Sequence, residues 1–221
     1  GTQIHQEAED YVRGKAPITH NLRHFADDLL SLNAHFAAGR VICEEEWGFD
    51  YHWQIAEYAN AWLRLKCDAV VHLDKKHLAV IDYKTGKRFG NELKHKQQLQ
   101  LYALCALIRY PDVEKVTCEL WYIDQNELGS FVMERKQLKQ YLAIYDKRGR
   151  AMTTEKEFPA SPNINSCKWC PYAPHKQGQC QFGINPETLA APKEVTHEEL
   201  ALKKKPSKTD ALFSAADLEG L

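Results

Sequence analysis

Apolar positions recur at helical spacing through the opening stretch GTQIHQEAEDYVRG, where Ile4, Ala8, Tyr11 and Val12 share one face. A second stripe, Leu22, Phe25, Leu29, Leu32 and Phe36, predicts a helix from about His20 to Ala38, stopped by Gly39. Residues 41–49, VICEEEWGF, read as a strand. Two short apolar runs, Ala69-Val70-Val71 and Leu78-Ala79-Val80-Ile81, flank the polar turn Asp74-Lys75-Lys76 and predict a hairpin. Beyond the glycine-bounded turn TGKRFG, the stripe Leu101, Leu104, Cys105 and Ile108 predicts a helix within NELKHKQQLQLYALCALIRY. Residues 116–123 and 129–134 read as strands joined through Asp124-Gln125-Asn126, and a helix over roughly 135–150 follows. The sum is an α/β or α+β domain, a small mixed sheet flanked by helices.

From Phe158 the pattern changes. Pro159, Pro162, Pro171 and Pro174 surround Cys167, Cys170, His175 and Cys180, with little apolar material to pack. After Pro186 the chain is polar, carries Lys203-Lys204-Lys205, and ends in ALFSAADLEGL. The expected organisation is a core over 1–157, a cysteine segment over 158–185 closing on it, and a disordered tail over 186–221. Within that tail Asp210–Leu221 mixes Leu212, Phe213, Leu218 and Leu221 with acids, as a docking peptide for a recombination partner would.

Composition narrows the options. At 221 residues the chain suits one domain plus an appendage, and 29 Lys and Arg against 30 Asp and Glu give no global basic field. That argues against a passive, charge-driven nucleic-acid binder more than against an enzyme. No apolar run is long enough to cross a bilayer and no signal-peptide pattern is present, so a cytoplasmic protein without a membrane partner is expected. The first residue is Gly, which predicts missing upstream sequence. Seven cysteines predict reduced thiols, some of them metal-bound. Cys43, Cys67, Cys105 and Cys118 fall in predicted strands or a helix and read as core residues.

The chemistry gathers at the hairpin. Asp68 stands at the head of its first strand and Asp82, Tyr83 and Lys84 at the tail of its second. Antiparallel pairing would bring two carboxylates and an ammonium to one spot, a set suited to holding a hard divalent cation and orienting a water. Other features are ambiguous alone. His5 reads as a core-edge histidine, Glu44-Glu45-Glu46 as a solvated strand end or as the source of one glutamate that reaches a metal, and Gln98 and Tyr102 as helix neighbours one turn apart.

Their order along the chain adds meaning. GTQIH on a helix, then Asp68, then IDYKTGK, then Gln98-x-x-x-Tyr102, then a C-x-x-C…C cluster resembles the RecB-like, AddB-like exonuclease branch of the PD-(D/E)XK nuclease superfamily. The resemblance covers about residues 1–182. It implies a restriction-endonuclease-like core and a Mg²⁺- or Mn²⁺-dependent deoxyribonuclease, with DNA as partner, acting in recombination, repair or phage DNA processing. It also implies roles: His5, Asp68, Asp82 and the Tyr83 carbonyl as metal ligands, Asp68, Asp82 and Lys84 as catalytic groups, and Gln98 and Tyr102 lining the site and approaching DNA. Cys167, Cys170 and Cys180 match cysteines that hold a [4Fe-4S] cluster with a fourth cysteine from upstream. Zn²⁺ bound with His175 as fourth ligand is the alternative, since Cys167-x-x-Cys170-x₄-His175-x₄-Cys180 has zinc-knuckle spacing. Leu65 departs from the pattern, standing where relatives often carry a glycine three residues before the first aspartate. A structure-selective endonuclease and a catalytically idle binding module are the competing readings.

Overall fold

The computed structural model describes residues 2–86 and 90–186. These fall into two compact units, residues 2–150 and residues 151–186. The expected tail, with its docking segment Asp210–Leu221, lies outside the described residues apart from Pro186.

The first unit holds one six-stranded sheet, ordered β2-β1-β3-β4-β5-β6. In chain order its elements are α1 (Thr2–Val12), a 3₁₀ turn (His20–Phe25), α2 (Ala26–Ala37), β1 (Val41–Phe49), β2 (Ile55–Ala56), β3 (Leu63–His72), β4 (His77–Lys84), α3 (Glu92–Arg109), β5 (Lys115–Tyr122), β6 (Glu127–Glu134) and α4 (Leu138–Thr154), whose end passes into the second unit. The helix expected over 20–38 therefore starts as 3₁₀. Leu22 and Phe25, three apart and both buried, satisfy a three-residue period as well as a 3.6-residue one. Gly39 ends α2 with φ +71°, the left-handed conformation that glycine adopts without a Cβ penalty.

β4 is the axis of the sheet. It pairs antiparallel with β3 and parallel with β5, the parallel step being made through α3. Its residues Leu78 to Tyr83 are all buried, because helices cover both faces. Leu78 and Val80 pack with Leu99, Leu104 and Leu107 of α3, while Ala79 and Ile81 pack with Ala8 and Val12 of α1 and Leu29 of α2.

One irregularity shapes the rest. Along β3, Leu65 and Cys67 pack on the α3 side, yet Ala69 and Val71 pack on the α1–α2 side. β1 switches likewise, with Val41 and Cys43 on one side and Trp47 and Phe49 on the other. Regular alternation would keep all these odd-numbered residues on one face. The switch falls where the β1–β3 ladder skips a pair, between Cys43↔Ala69 and Glu45↔Cys67. There Glu44 takes φ +57°, a conformation that costs a non-glycine residue about 1–3 kcal/mol. Asp68 lies across from it, midway along β3 rather than at its head, since β3 already begins at Leu63.

The second unit has almost no core. Of its described residues only Cys167 and Ala173 are buried. α5 (Ile164–Trp169) is capped by Asn163, whose side-chain oxygen accepts from the Ser166 N–H at 2.8 Å. Among the described residues no helix is long and apolar enough to cross a membrane.

Candidate active site

The sheet splits where the two expected halves of the site meet. The β3–β4 ladder stops at Ala69↔Ile81, one residue short of placing Asp68 opposite Asp82. Below that point β3 pairs only with β1, and Asp82, Tyr83 and Lys84 pair only with β5. The Tyr83 N–H, left without a ladder partner, donates to Asp68 Oδ2 at 2.6 Å. A strand residue directs its N–H and C=O to the same edge, so the Tyr83 carbonyl also faces the split.

α1 brings His5 to this place. Its Nδ1 lies 3.2 Å from Asp68 Oδ1, and its ring meets Tyr83 edge-on at 5.9 Å. The hydrogen bond to Asp68 raises the His5 pKa above its usual value, overcoming the opposing effect of burial. The charges of Asp68, Asp82 and Glu44 add to the rise.

Asp82 points to the other face and is 5 % exposed. Its Oδ1 accepts from Gln98 Nε2 and from the Tyr102 hydroxyl, both at 2.9 Å. Its Oδ2 stands 2.6 Å from Lys84 Nζ. Burial pushes the Asp82 carboxyl above the usual carboxylate range, and the neighbouring charge of Asp68 adds to this. The Lys84 ammonium and the Tyr102 hydroxyl pull it back.

All the residues expected at the site are thus in one neighbourhood, as two linked pairs, His5–Asp68 and Asp82–Lys84. Tyr102 differs from expectation. Rather than approaching a substrate it is 5 % exposed, and its hydroxyl lies within reach of Asp82, Gln98 Nε2 and the Lys66 carbonyl, the last two at 3.0 Å. Packing of α3 against the sheet turns the ring inward, where its hydroxyl meets Asp82 Oδ1 at 2.9 Å. Gln98 is half-buried and serves the same oxygen.

Sequence reasoning did not single out Glu44 within the glutamate triplet. It is half-buried rather than a solvated strand end, holds Lys66 Nζ at 2.7 Å, and is close enough to influence His5. Apolar residues stand at odd positions on both sides of the glutamate triplet, as they would in a strand with one buried face, so the pattern carried no signal of the change of face.

The donor set suits a hard divalent cation: two carboxylates, a carbonyl and one imidazole. The electrostatics agree, because burial and then the nearby charge of Asp68 disfavour ionisation of Asp82, an effect that a bound cation would offset. Among the described residues, no three His, Cys, Asp or Glu side chains already stand close enough together to hold a metal.

The cysteine segment is a separate matter. Cys167 is buried and its Sγ accepts from the Ile184 N–H at 3.4 Å, while Cys170 and Cys180 are half-buried. The Nδ1 of His175 is buried without a hydrogen-bond partner. Cys43, Cys67, Cys105 and Cys118 are core residues, as expected, and burial pushes the Cys43 thiol up to about 11.

One solved structure, described as "Crystal structure of SSO0001", is similar over 69 % of this chain and 67 % of its own, at 17 % identity and a TM-score of 0.36. A likeness that loose says nothing about the site. Among curated proteins none matches the chain. The family model of the PD-(D/E)XK nuclease superfamily matches residues 1–175, a span that takes in α1, the split sheet and α3. With Asp68, Asp82 and Lys84 meeting where that sheet divides, the chain belongs to the PD-(D/E)XK nuclease superfamily.

Proposed function

We propose that this chain is a Mg²⁺- or Mn²⁺-dependent DNA exonuclease of the RecB-like branch, working in recombination or repair. The observation that supports it most is the split between β3 and β4, with Asp68 on one lip and the Asp82–Lys84 pair on the other.

His5, Asp68, Asp82 and the Tyr83 carbonyl would hold the cation. When bound, it neutralises charge on the scissile phosphate and makes a water more acidic. Asp68 is steadied by the Tyr83 N–H and by His5. Asp82 is steadied by Gln98 and Tyr102 through its Oδ1, which leaves Oδ2 for Lys84 or the cation. Lys84, with its side chain 24 % exposed, carries its ammonium at the rim of the split. From there it orients the attacking water and balances charge building on the phosphate oxygens.

Exonuclease and endonuclease action use the same site. End-labelled linear DNA and covalently closed circles, each with Mn²⁺, separate them. Loss of linear DNA alone supports the exonuclease, nicked circles support an endonuclease, and no cleavage of either returns the chain to a binding module.

For the cysteine segment, the resemblance favours a [4Fe-4S] cluster on Cys167, Cys170, Cys180 and an upstream cysteine. The buried, unpartnered Nδ1 of His175 favours the second reading, zinc with a fourth ligand from within the segment. Anaerobically purified protein that is brown and rich in iron supports the cluster. Colourless protein with one zinc that His175→Ala releases supports the knuckle.

A further inference from the structure

Between Phe158 and Pro186 the chain has no aspartate or glutamate, although acids slightly outnumber bases overall. The same stretch carries Lys168, Lys176 and His175. It also leaves large rings in solvent: Trp169 is 74 % exposed, Tyr172 70 % and Phe182 65 %. Single exposed apolar residues are ordinary, but three aromatic rings in a short acid-free segment are not. Lys168 Nζ lies 5.2 Å and Lys176 Nζ 6.0 Å from the Trp169 ring, so two ammonium groups stand near one open indole.

The backbone holds this arrangement in place. The Gly178 N–H donates to the Ala173 carbonyl at 3.0 Å and the Cys180 N–H to the Tyr172 carbonyl at 2.9 Å. A Cβ on Gly178 would sit 2.1 Å from the Tyr172 carbonyl carbon, so only glycine lets the chain fold back there. Tyr172 is therefore fixed by its main chain while its ring remains outside.

We propose that Lys168–Phe182 is a binding surface for single-stranded DNA. Trp169, together with Tyr172 and Phe182 of the same segment, offers π-faces on which bases stack. Lys168 and Lys176 contact the phosphates on either side of the base on Trp169. A protein partner would match the exposed rings, but it would not explain an acid-free surface that sets two ammonium groups beside one open indole. The identity of the strand as DNA rests on the nuclease reading; the surface itself does not.

The test is anisotropy of a labelled oligothymidylate with the full chain, without chelator and without added Mg²⁺ or Mn²⁺ so that nothing is cleaved, for wild type, Trp169→Ala, Trp169→Phe and Lys168→Ala/Lys176→Ala. Trp169→Ala should weaken binding roughly 5- to 150-fold and Trp169→Phe much less, as loss of one stacked base requires. The double lysine variant should lower the salt slope of binding by about 1.4, the value for two phosphate contacts on a single strand. Unchanged affinity in Trp169→Ala with an unchanged slope in the lysine variant overturns the proposal, as does a wild type that binds no oligonucleotide. Trp169-dependent binding by a wild type that cleaves no DNA with any cation would sink the nuclease reading and leave this surface standing.

Discussion

Replacing Tyr102 by Phe removes one oxygen from the most constrained part of the site. The Tyr102 hydroxyl has one proton and two acceptors in range, Asp82 Oδ1 at 2.9 Å and the Lys66 carbonyl at 3.0 Å, and it accepts from Gln98 Nε2. A charged carboxylate is the stronger acceptor, so the proton serves Asp82 whenever Asp82 is ionised. A hydrogen bond to a charged group is worth about 1.5–3 kcal/mol. Losing it pushes the Asp82 carboxyl further above an already elevated value. A less ionised, less well-held ligand binds its cation more weakly, by about 10- to 100-fold for supporting residues of this kind. Cleavage rate should therefore be measured against Mg²⁺ concentration at fixed DNA. The half-saturating Mg²⁺ should rise by that factor, with most of the rate recovered at saturation and the KM for DNA little changed. An unchanged Mg²⁺ requirement with a raised KM for DNA would refute the reasoning and return Tyr102 to a substrate-facing role.

Further outcomes follow from the same geometry. The raised His5 pKa means that its pair with Asp68 stabilises the metal-free fold fully below pH 6.5 and loses that contribution as pH climbs through the raised value. Thermal melts in EDTA should show a fall in that window that His5→Gln removes, and a pH profile identical in both proteins would count against the pair. Gly48→Ala places a Cβ 2.6 Å from the Ala56 carbonyl oxygen and 3.0 Å from the Tyr58 Cα, both backbone atoms. It should destabilise the protein by about 1–3 kcal/mol, read as a lower denaturant midpoint at constant slope. Under native conditions a thiol alkylating reagent should modify Cys170 and Cys180 in metal-stripped protein well before the four core cysteines, as mass mapping would show.

Much of this architecture could be read from residue pattern. The hairpin turn, the strand over 41–49, the helix carrying Gln98 and Tyr102, and the mixed sheet all follow from periodicities that burial enforces. Periodicity failed where two geometries share it. Leu22 and Phe25 fit a 3₁₀ turn as well as an α-helix, and two-residue β2 is too short to have a pattern. At the site, Asp68, Asp82 and Lys84 were readable as residue types in order. How they meet was not, because that depends on a ladder that ends early and a glutamate in a left-handed conformation. Tyr102 was placed on the right helix face, but sequence spacing cannot say whether a neighbour of the core stripe looks outward or into the sheet.

The most direct test of the account is cleavage of end-labelled linear DNA by wild type, Asp82→Asn and Lys84→Ala, purified identically and assayed with Mg²⁺, with Mn²⁺ and with EDTA. Asp82→Asn keeps the shape of the side chain and removes the charge that the cation and Lys84 share; Lys84→Ala removes the ammonium and leaves the carboxylates. The expected result is cleavage by wild type that EDTA abolishes and that both variants lose at every cation concentration, while their melting temperatures stay near that of wild type. Cleavage by either variant at the wild-type rate, or cleavage that persists in EDTA, would contradict the assignment of the split between β3 and β4 as the active site.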